Sequence, residues 1–196
     1  MAAFIGDFGR GGMAYPDLYL MRHGETEWNV AGRLQGRLDS PLTPRGIRQA
    51  QRQHDLIGNL HLDRYSSPQP RAVLTAQTVF GTTDFAQDDR LAEIDVGDFT
   101  GLSLPELQSS HPQVFKNTGI FWYDRTPNGE RFAQLQHRVT AFLRDLSGPA
   151  MVVTHGVTLR MLRLVAMAWP MDRLAELTVE QGAVHIVRNC RHEVWR

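Results

Sequence analysis

Two short apolar runs in this chain each end in a histidine followed by a glycine. Leu18-Tyr19-Leu20-Met21 stops at Arg22-His23-Gly24, and Met151-Val152-Val153-Thr154 stops at His155-Gly156. Runs of this length bounded by glycine read as buried strands. The glycine lets the chain turn sharply and lets a ligand approach the backbone. Open α/β sheets bind ligands at the carboxyl ends of their strands, so two strand ends that each deliver an imidazole suggest one site. Arg22, beside the first histidine, offers a planar fork that matches phosphate or carboxylate.

The surrounding elements alternate between strand and helix. Gly32 to Pro41 is polar and glycine-punctuated and reads as a long functional loop. Thr43-Pro44 opens a helix to about Ile57, with threonine as N-cap and proline in the first turn. Ile47, Ala50, His54 and Ile57 lie along one face of it. Asp63 to Ser67 reads as a second short strand, and Pro70 to Phe80 has helical spacing. Leu91 to Gly101 holds a compact Glu93-Ile94-Asp95-Val96-Gly97 element, and Leu102 to Asn128 is irregular and rich in aromatics. Glu130 to Leu146 is an amphipathic helix, and Val157 to Trp169 is another, halted by Pro170. Leu177-Thr178-Val179, a turn at Gly182 and a strand from Ala183 to Val187 read as a closing hairpin. This alternation predicts an α/β fold, a three-layer α/β/α sandwich around a mostly parallel sheet.

The length of 196 residues suits one domain with a substantial core. The expected organisation is a poorly ordered extension over 1–16, with Met13 as a candidate natural start, and one domain over 17–196. Within that domain a small lid is expected at about 102–128. Lysine plus arginine total 21, as do aspartate plus glutamate. The zero net charge argues against nucleic-acid binding and against charge attraction to membranes. Lys116 is the only lysine, so arginine carries nearly all fixed positive charge. Cys190 is the only cysteine, which precludes an internal disulfide. No apolar run reaches membrane-spanning length and the first residues lack a signal-peptide pattern. A cytoplasmic location is expected. His54, His61, His111, His137, His185 and His192 show no metal-ligand spacing, so no metal is expected.

Leu-Met-Arg-His-Gly-Glu-Thr-Glu-Trp-Asn from Leu20 to Asn29 resembles the signature of the histidine phosphatase superfamily, also called the phosphoglycerate mutase-like family. The resemblance continues in order along the chain. It runs through Gly32-Arg33-Leu34-Gln35-Gly36 and Asp39-Ser40-Pro41-Leu42-Thr43, then Ser66-Ser67-Pro68-Gln69-Pro70-Arg71-Ala72 with Thr75-Ala76. Leu91-Ala92-Glu93 with Gly97 and Gly101, and Val153-Thr154-His155-Gly156, complete it. Two segments depart from the pattern: Phe99-Thr100-Gly101 stands where the family often has Trp-Glu-Gly, and Gly129-Glu130-Arg131 where it often has Gly-Glu-Ser. The first is expected to alter packing near the acid, and the second to bring Arg131 near the pocket.

The resemblance implies a catalytic set of His23, Glu93, His155, Arg22 and Arg71. His23 would be the nucleophile, forming a phosphohistidine and splitting one displacement into two. Arg22 and Arg71 would clamp the phosphoryl oxygens. His155 would donate to the same group, a contribution of ~10²–10³ in rate for one such donor. Glu93 would protonate the leaving oxygen and then activate water, worth ~10²–10⁴, its proton favoured by a dianionic substrate nearby. Asp95 and Asp98 are the competing candidates for that role. Asn29, Gln35, Gly36 and the Gly156 N–H would add phosphate contacts, with loop hydrogen bonding as the alternative for the two amides. No cofactor is implied.

The expected activity is that of a metal-independent, histidine acid phosphatase-type phosphomonoesterase on a small phosphorylated metabolite. The alternatives are phosphoglycerate mutase-type transfer, an α-ribazole phosphate phosphatase, and a phospho-ligand-binding protein without turnover. Phe115, Trp122 and Tyr123 are expected to make the pocket partly apolar, with lid packing as the competing role. The substrate and the oligomeric state stay open.

Overall fold

The computed structural model describes residues 15–196. All but the last two residues of the expected extension over 1–16, and the candidate start at Met13, lie outside the described residues. Tyr15, placed by sequence in the N-terminal extension, packs half-buried against the core.

The order of elements is β1 (Leu18–Arg22), α1 (Glu27–Val30), α2 (Pro44–Ile57), β2 (Asp63–Ser66), α3 (Pro70–Phe80), β3 (Ala86–Gln87), α4 (Leu104–Ser110), α5 (Pro112–Phe115), α6 (Phe132–Asp145), β4 (Ala150–Thr154), α7 (Gly156–Ala166), β5 (Val184–Arg188) and β6 (Arg191–Trp195). The strands form one six-stranded sheet in the order β3-β2-β4-β1-β5-β6. β3, β2, β4 and β1 are parallel to their neighbours, and β5 and β6 close the other edge antiparallel. The period-two alternation of strand side chains separates two cores. Leu18, Leu20, Ala150 and Val152 face α6, α7 and the Phe99 region, while Tyr19, Met21, Met151 and Val153 face α2 and α3. The central strands are covered on both faces, which is why β1 and β4 read as continuous apolar runs.

The parallel register of β1 on β4 pairs Arg22 with Thr154. The next residue of each strand is therefore a histidine, and the two imidazoles leave the sheet side by side. Gly24 makes the turn after β1 possible. A Cβ there would lie 2.3 Å from the Gly46 carbonyl oxygen in the first turn of α2, and a Cβ on Gly46 would lie 2.1 Å from the Glu25 carbonyl oxygen. Backbone meets backbone at that point, so neither neighbour can yield.

Two local readings need correction. The buried face of α2 is Gly46, Ala50, Gln53 and Ile57, whereas Ile47 and His54 are exposed. Gln53 is buried because its amide donates to the Arg22 and Ala183 carbonyls, both at 3.1 Å. The closing hairpin is β5–β6, one strand later than expected. Its turn is at Asn189 and Cys190, both with positive φ (48° and 58°). Leu177 to Val179 is not a strand; its carbonyls accept from arginine side chains instead of a neighbouring strand.

Arg163, fully buried on α7, organises that end of the sheet. Its Nη1 lies 3.1 Å from His185 Nδ1 and 3.2 Å from His192 Nε2, and its Nη2 donates to the Thr178 carbonyl. Guanidinium nitrogens only donate, so both imidazoles accept and both are neutral. Burial first, and the Arg163 charge second, push His185 down to about 3 and His192 to about 4. Both values lie below the usual 6.5, so the unfolded chain binds more protons than the folded one as pH falls through that window. The stability is present above the usual 6.5 and is lost progressively as pH falls through the folded values of about 4 and about 3. Replacing His192 by Gln keeps an acceptor and removes the titration. Thermal melts should show a smaller loss of Tm between pH 7 and pH 5 in H192Q than in the parent; parallel slopes would contradict the neutral pair.

Candidate active site

His23 and His155 meet at the carboxyl edge of the sheet, ring centroids 5.1 Å apart. Their backbones are tied by His23 N–H donating to the Thr154 carbonyl at 2.9 Å. His23 is buried, and its Nδ1 lies 2.7 Å from the Gly24 carbonyl. A carbonyl only accepts, so the proton sits on Nδ1 and Nε2 keeps its lone pair. Burial, then the Arg22 and Arg71 charges, hold His23 well below the usual histidine value. His155 is buried and likewise depressed, by desolvation first and then by Arg71. Its Nε2 lies 2.7 Å from Ser67 Oγ, and its Nδ1 is buried with no protein partner.

A cavity of about 80 Å³ opens above His23, lined by Arg22, Asn29, Arg33, Gln35, Gly36, Arg71, Glu93 and Tyr123 together with Leu34 and Val96. His155 and Gly156 lie beneath this wall rather than in it. A Cβ on Gly156 would sit 3.6 Å from Glu93 Oε2 and 3.7 Å from the Arg22 guanidinium. Gly36, at φ +49°, lets the loop bend over Val96; a Cβ there would lie 2.8 Å from Val96 Cγ2.

The two arginines are held differently. Arg22 reaches the Val179 carbonyl at 3.4 Å through Nη1, and its Nε is buried without a partner. Arg71 spends most of its fork on the loop: Nη1 on the Leu38 carbonyl at 2.6 Å and on Asp39 at 3.0 Å, and Nη2 on the Gly36 carbonyl at 3.1 Å. Its Nε is also buried and free. Desolvation lowers both arginines and nearby Glu93 opposes it.

Asn29 Oδ1 accepts from Thr26 N–H and from Gln181, each at 3.2 Å, which turns the amide NH₂ end away from those partners. Gln35 donates Nε2–H to Thr26 Oγ1 at 2.8 Å and leaves Oε1 buried without a partner. Exchanging the ends of that amide would offer a donor to the cavity. Among the described residues, four of the seven buried side-chain atoms without a partner belong to this one site: Arg22 Nε, Gln35 Oε1, Arg71 Nε and His155 Nδ1. A buried unsatisfied polar group costs ~1–3 kcal/mol, so a cluster of them marks a place where a ligand supplies the missing partners.

Glu93 lines the cavity and is anchored by the start of α7. Oε1 accepts from Thr158 N–H at 3.1 Å and Ile94 N–H at 3.0 Å, and Oε2 accepts from Val157 N–H at 3.2 Å. Asp95 accepts from Gly97 N–H and Asp98 pairs with Asn128; neither lines the cavity. Arg131 does not reach the cavity either. It holds the Asp124 and Thr126 carbonyls at 2.7 and 3.0 Å, closing the segment that precedes α6.

Of the two roles open to the aromatics, lid packing holds for Phe115 and Trp122. Phe115 stacks on Phe99 and packs tilted against Trp122 in a small core, and Trp122 is buried. Only Tyr123, stacked on Trp122 at 3.8 Å, lines the cavity. Burial pushes its phenol up to about 12, so it faces the cavity as a hydrogen-bond donor. Arg33, Ser67 and Gln69 stand within the family motifs without a role in them, and Gln181 lies outside those motifs. The short-range motif marked the first three; the Gln181 contact spans too much sequence to show any local sign. Among the described residues no group of three or more His, Cys, Asp or Glu side chains is arranged to hold a metal ion. Among the same residues no helix is long and apolar enough to cross a membrane.

The profile of the histidine phosphatase superfamily, branch 1, matches residues 18–196. Phosphoserine phosphatase 1 of Hydrogenobacter thermophilus is 34% identical over 156 residues, covering 73% of this chain and 72% of that protein. The adenosylcobalamin/alpha-ribazole phosphatase of Salmonella typhimurium is 32% identical over 182 residues, covering 88% and 90%. Among solved structures, YhfR of Bacillus stearothermophilus superposes with a TM-score of 0.77 at 34% identity, covering 91% of this chain and 94% of that one.

A depressed histidine stays neutral as pH falls. Imidazole ¹⁵N spectra should show His23 neutral, with its proton on Nδ1, throughout pH 7.5 to 5. A midpoint near the ordinary 6.5 would contradict the burial and arginine effects described here.

Proposed function

This chain belongs to branch 1 of the histidine phosphatase superfamily, and from that premise we propose that it hydrolyses phosphomonoesters of small polar metabolites through a phosphohistidine, without a metal. The carrying observation is the set of unpartnered nitrogens on Arg22 and Arg71, which line the cavity with a neutral His23, and on His155, whose ring centroid lies 5.1 Å from that of His23. A phosphoryl group brings the acceptor oxygens those donors lack.

In the first step His23 Nε2 attacks phosphorus as the ester P–O bond breaks, and Glu93 gives its proton to the leaving oxygen. Arg22 Nε, Arg71 Nε, His155 Nδ1–H and the Asn29 amide hold the equatorial oxygens, where developing charge is best stabilised by fixed donors. In the second step Glu93 takes a proton from water, the resulting hydroxide attacks phosphorus, and the P–N bond breaks to restore His23 and release phosphate. The fixed charge of the two arginines performs the neutralisation that a metal supplies in other phosphoryl-transfer sites. The segment 102–128 acts as the lid, with Tyr123 as its contact to the substrate.

The leaving group is small and polar. The cavity is lined mainly by polar side chains, Arg33 and Tyr123 among them. Arg33 donates to the Gly101 carbonyl at 2.8 Å and has no carboxylate partner among the described residues. A leaving group bearing a carboxylate, as in O-phosphoserine, would pair with it.

Phosphate release from p-nitrophenyl phosphate in EDTA should proceed with the parent protein and fall by at least ~10³-fold in His23→Ala. Loss of turnover on adding EDTA, or equal turnover by both proteins, would overturn the reading. Arg33→Gln should raise KM for O-phosphoserine about tenfold, the equivalent of one charge-assisted bond, and leave KM for p-nitrophenyl phosphate nearly unchanged. Equal effects on the two substrates would remove Arg33 from leaving-group recognition.

A further inference from the structure

From the end of β2 into the first turn of α3 the chain reads Ser67-Pro68-Gln69-Pro70-Arg71. Each odd residue of this strip touches a different part of the site. Ser67 Oγ meets His155 Nε2 at 2.7 Å, and Arg71 holds the loop at Gly36, Leu38 and Asp39. Gln69, buried between them, spans two separate catalytic segments. Its Nε2 donates to the Gly36 carbonyl at 2.9 Å, and its Oε1 accepts from the Glu93 N–H at 2.8 Å. A carbonyl needs a donor and an N–H needs an acceptor, so these two partners leave the amide one orientation.

The flanking prolines make this bridge stiff. Each fixes its own φ, and Pro70 restricts Gln69 to extended backbone, where it lies at φ −68° and ψ 134°. Glu93 is then held from two sides: its backbone by Gln69, its carboxylate by the Val157 and Thr158 N–H groups of α7. The Gly36 carbonyl is held from two sides as well, by Gln69 and by Arg71 Nη2. The distance from the proton-delivering carboxylate to the phosphate loop is therefore transmitted through one glutamine side chain.

We propose that Gln69 is a positioning residue that fixes Glu93 relative to the phosphoryl site, so that its loss impairs proton delivery to the leaving oxygen and leaves the nucleophilic attack intact. This rests on the phosphatase reading above. Its signature is selective. p-Nitrophenolate leaves with little help from a proton, whereas the serine alkoxide of O-phosphoserine cannot. kcat/KM covers the steps up to phosphoryl transfer, so it isolates this difference from the hydrolysis of phosphohistidine.

The test compares kcat/KM on O-phosphoserine and p-nitrophenyl phosphate for the parent, Gln69→Leu, Glu93→Gln and the double variant. Glu93→Gln should lose ~10²-fold or more on O-phosphoserine and far less on the aryl ester. Gln69→Leu should show the same selectivity at about tenfold, and should add less than about twofold in the Glu93→Gln background, because both act through one group. Equal losses by Gln69→Leu on both esters, or an undiminished effect in the double variant, would make Gln69 a merely structural residue and overturn the proposal. If Glu93→Gln itself shows no selectivity, the acid role in the phosphatase reading fails, and the Gln69 proposal with it. Should Gln69→Leu lose its native circular dichroism, Gln69→Met, unbranched and of similar length, carries the same comparison.

Discussion

The parallel pairing of β1 with β4 is the constraint on which the site depends. Because Arg22 lies opposite Thr154, the residues that follow leave the sheet as neighbours, and both are histidines. A slip of one residue would send every side chain of β1 to the other face, exchanging Leu18 and Leu20 for Tyr19 and Met21. The two hydrophobic cores therefore guard the register, and the register places the imidazoles. Burial at the same point keeps both rings neutral. Packing thus does two things at once: it locates a nucleophile and preserves its lone pair.

Holding several donors without partners in a buried cavity is unfavourable, and the surrounding structure has to impose it. The loop after α1 is anchored in the core by Leu34 alone, since Leu38 farther along it is exposed. It is held by charge-assisted and amide bonds: Arg71 to three carbonyl or carboxylate groups, Gln69 to Gly36, and Gln35 to Thr26. The charge-assisted bonds of Arg71 are stronger than neutral ones, and each bond of the set has a specified geometry. Most of the Arg71 fork is consumed in this way. Arg22 is freer, so the two arginines flanking His23 are unequal in what they offer a ligand.

Much of this was legible along the chain. The strand ends at His23 and His155, the Thr43-Pro44 helix start and the Pro70 helix start follow from local chemistry, and local chemistry survives folding. What was not legible depended on partners distant in sequence. On α2, apolarity favoured Ile47 and the period admitted His54, yet Gln53 is buried because the Arg22 and Ala183 carbonyls need its amide. The aromatic cluster from Phe115 to Tyr123 suggested an apolar pocket, but aromatic side chains pack first against one another, and only one ring reaches the cavity. The closing hairpin was displaced because Asn189-Cys190 carries no glycine, although both residues adopt positive φ there. Glycine at Gly182 drew the turn to the wrong place.

That displaced segment shows how an irregular stretch can be as fixed as a strand. Three consecutive carbonyls, of Leu177, Thr178 and Val179, accept from Arg160, Arg163 and Arg22 respectively. Backbone carbonyls taken from water must find donors, and here helix α7 and strand β1 provide them in place of a neighbouring strand. Two residues further on, Gln181 donates to the His23 carbonyl and to Asn29, both at 3.2 Å. The chain therefore returns to the catalytic strand end along a line of arginine bonds. Arg163, the middle member, is the same side chain that keeps His185 and His192 neutral. Adding a proton to either ring would set two positive groups against each other at the buried end of α7, and the first bond exposed to that repulsion is the one to Thr178. One guanidinium thus holds both the Thr178 carbonyl and the two imidazoles of the β5–β6 hairpin.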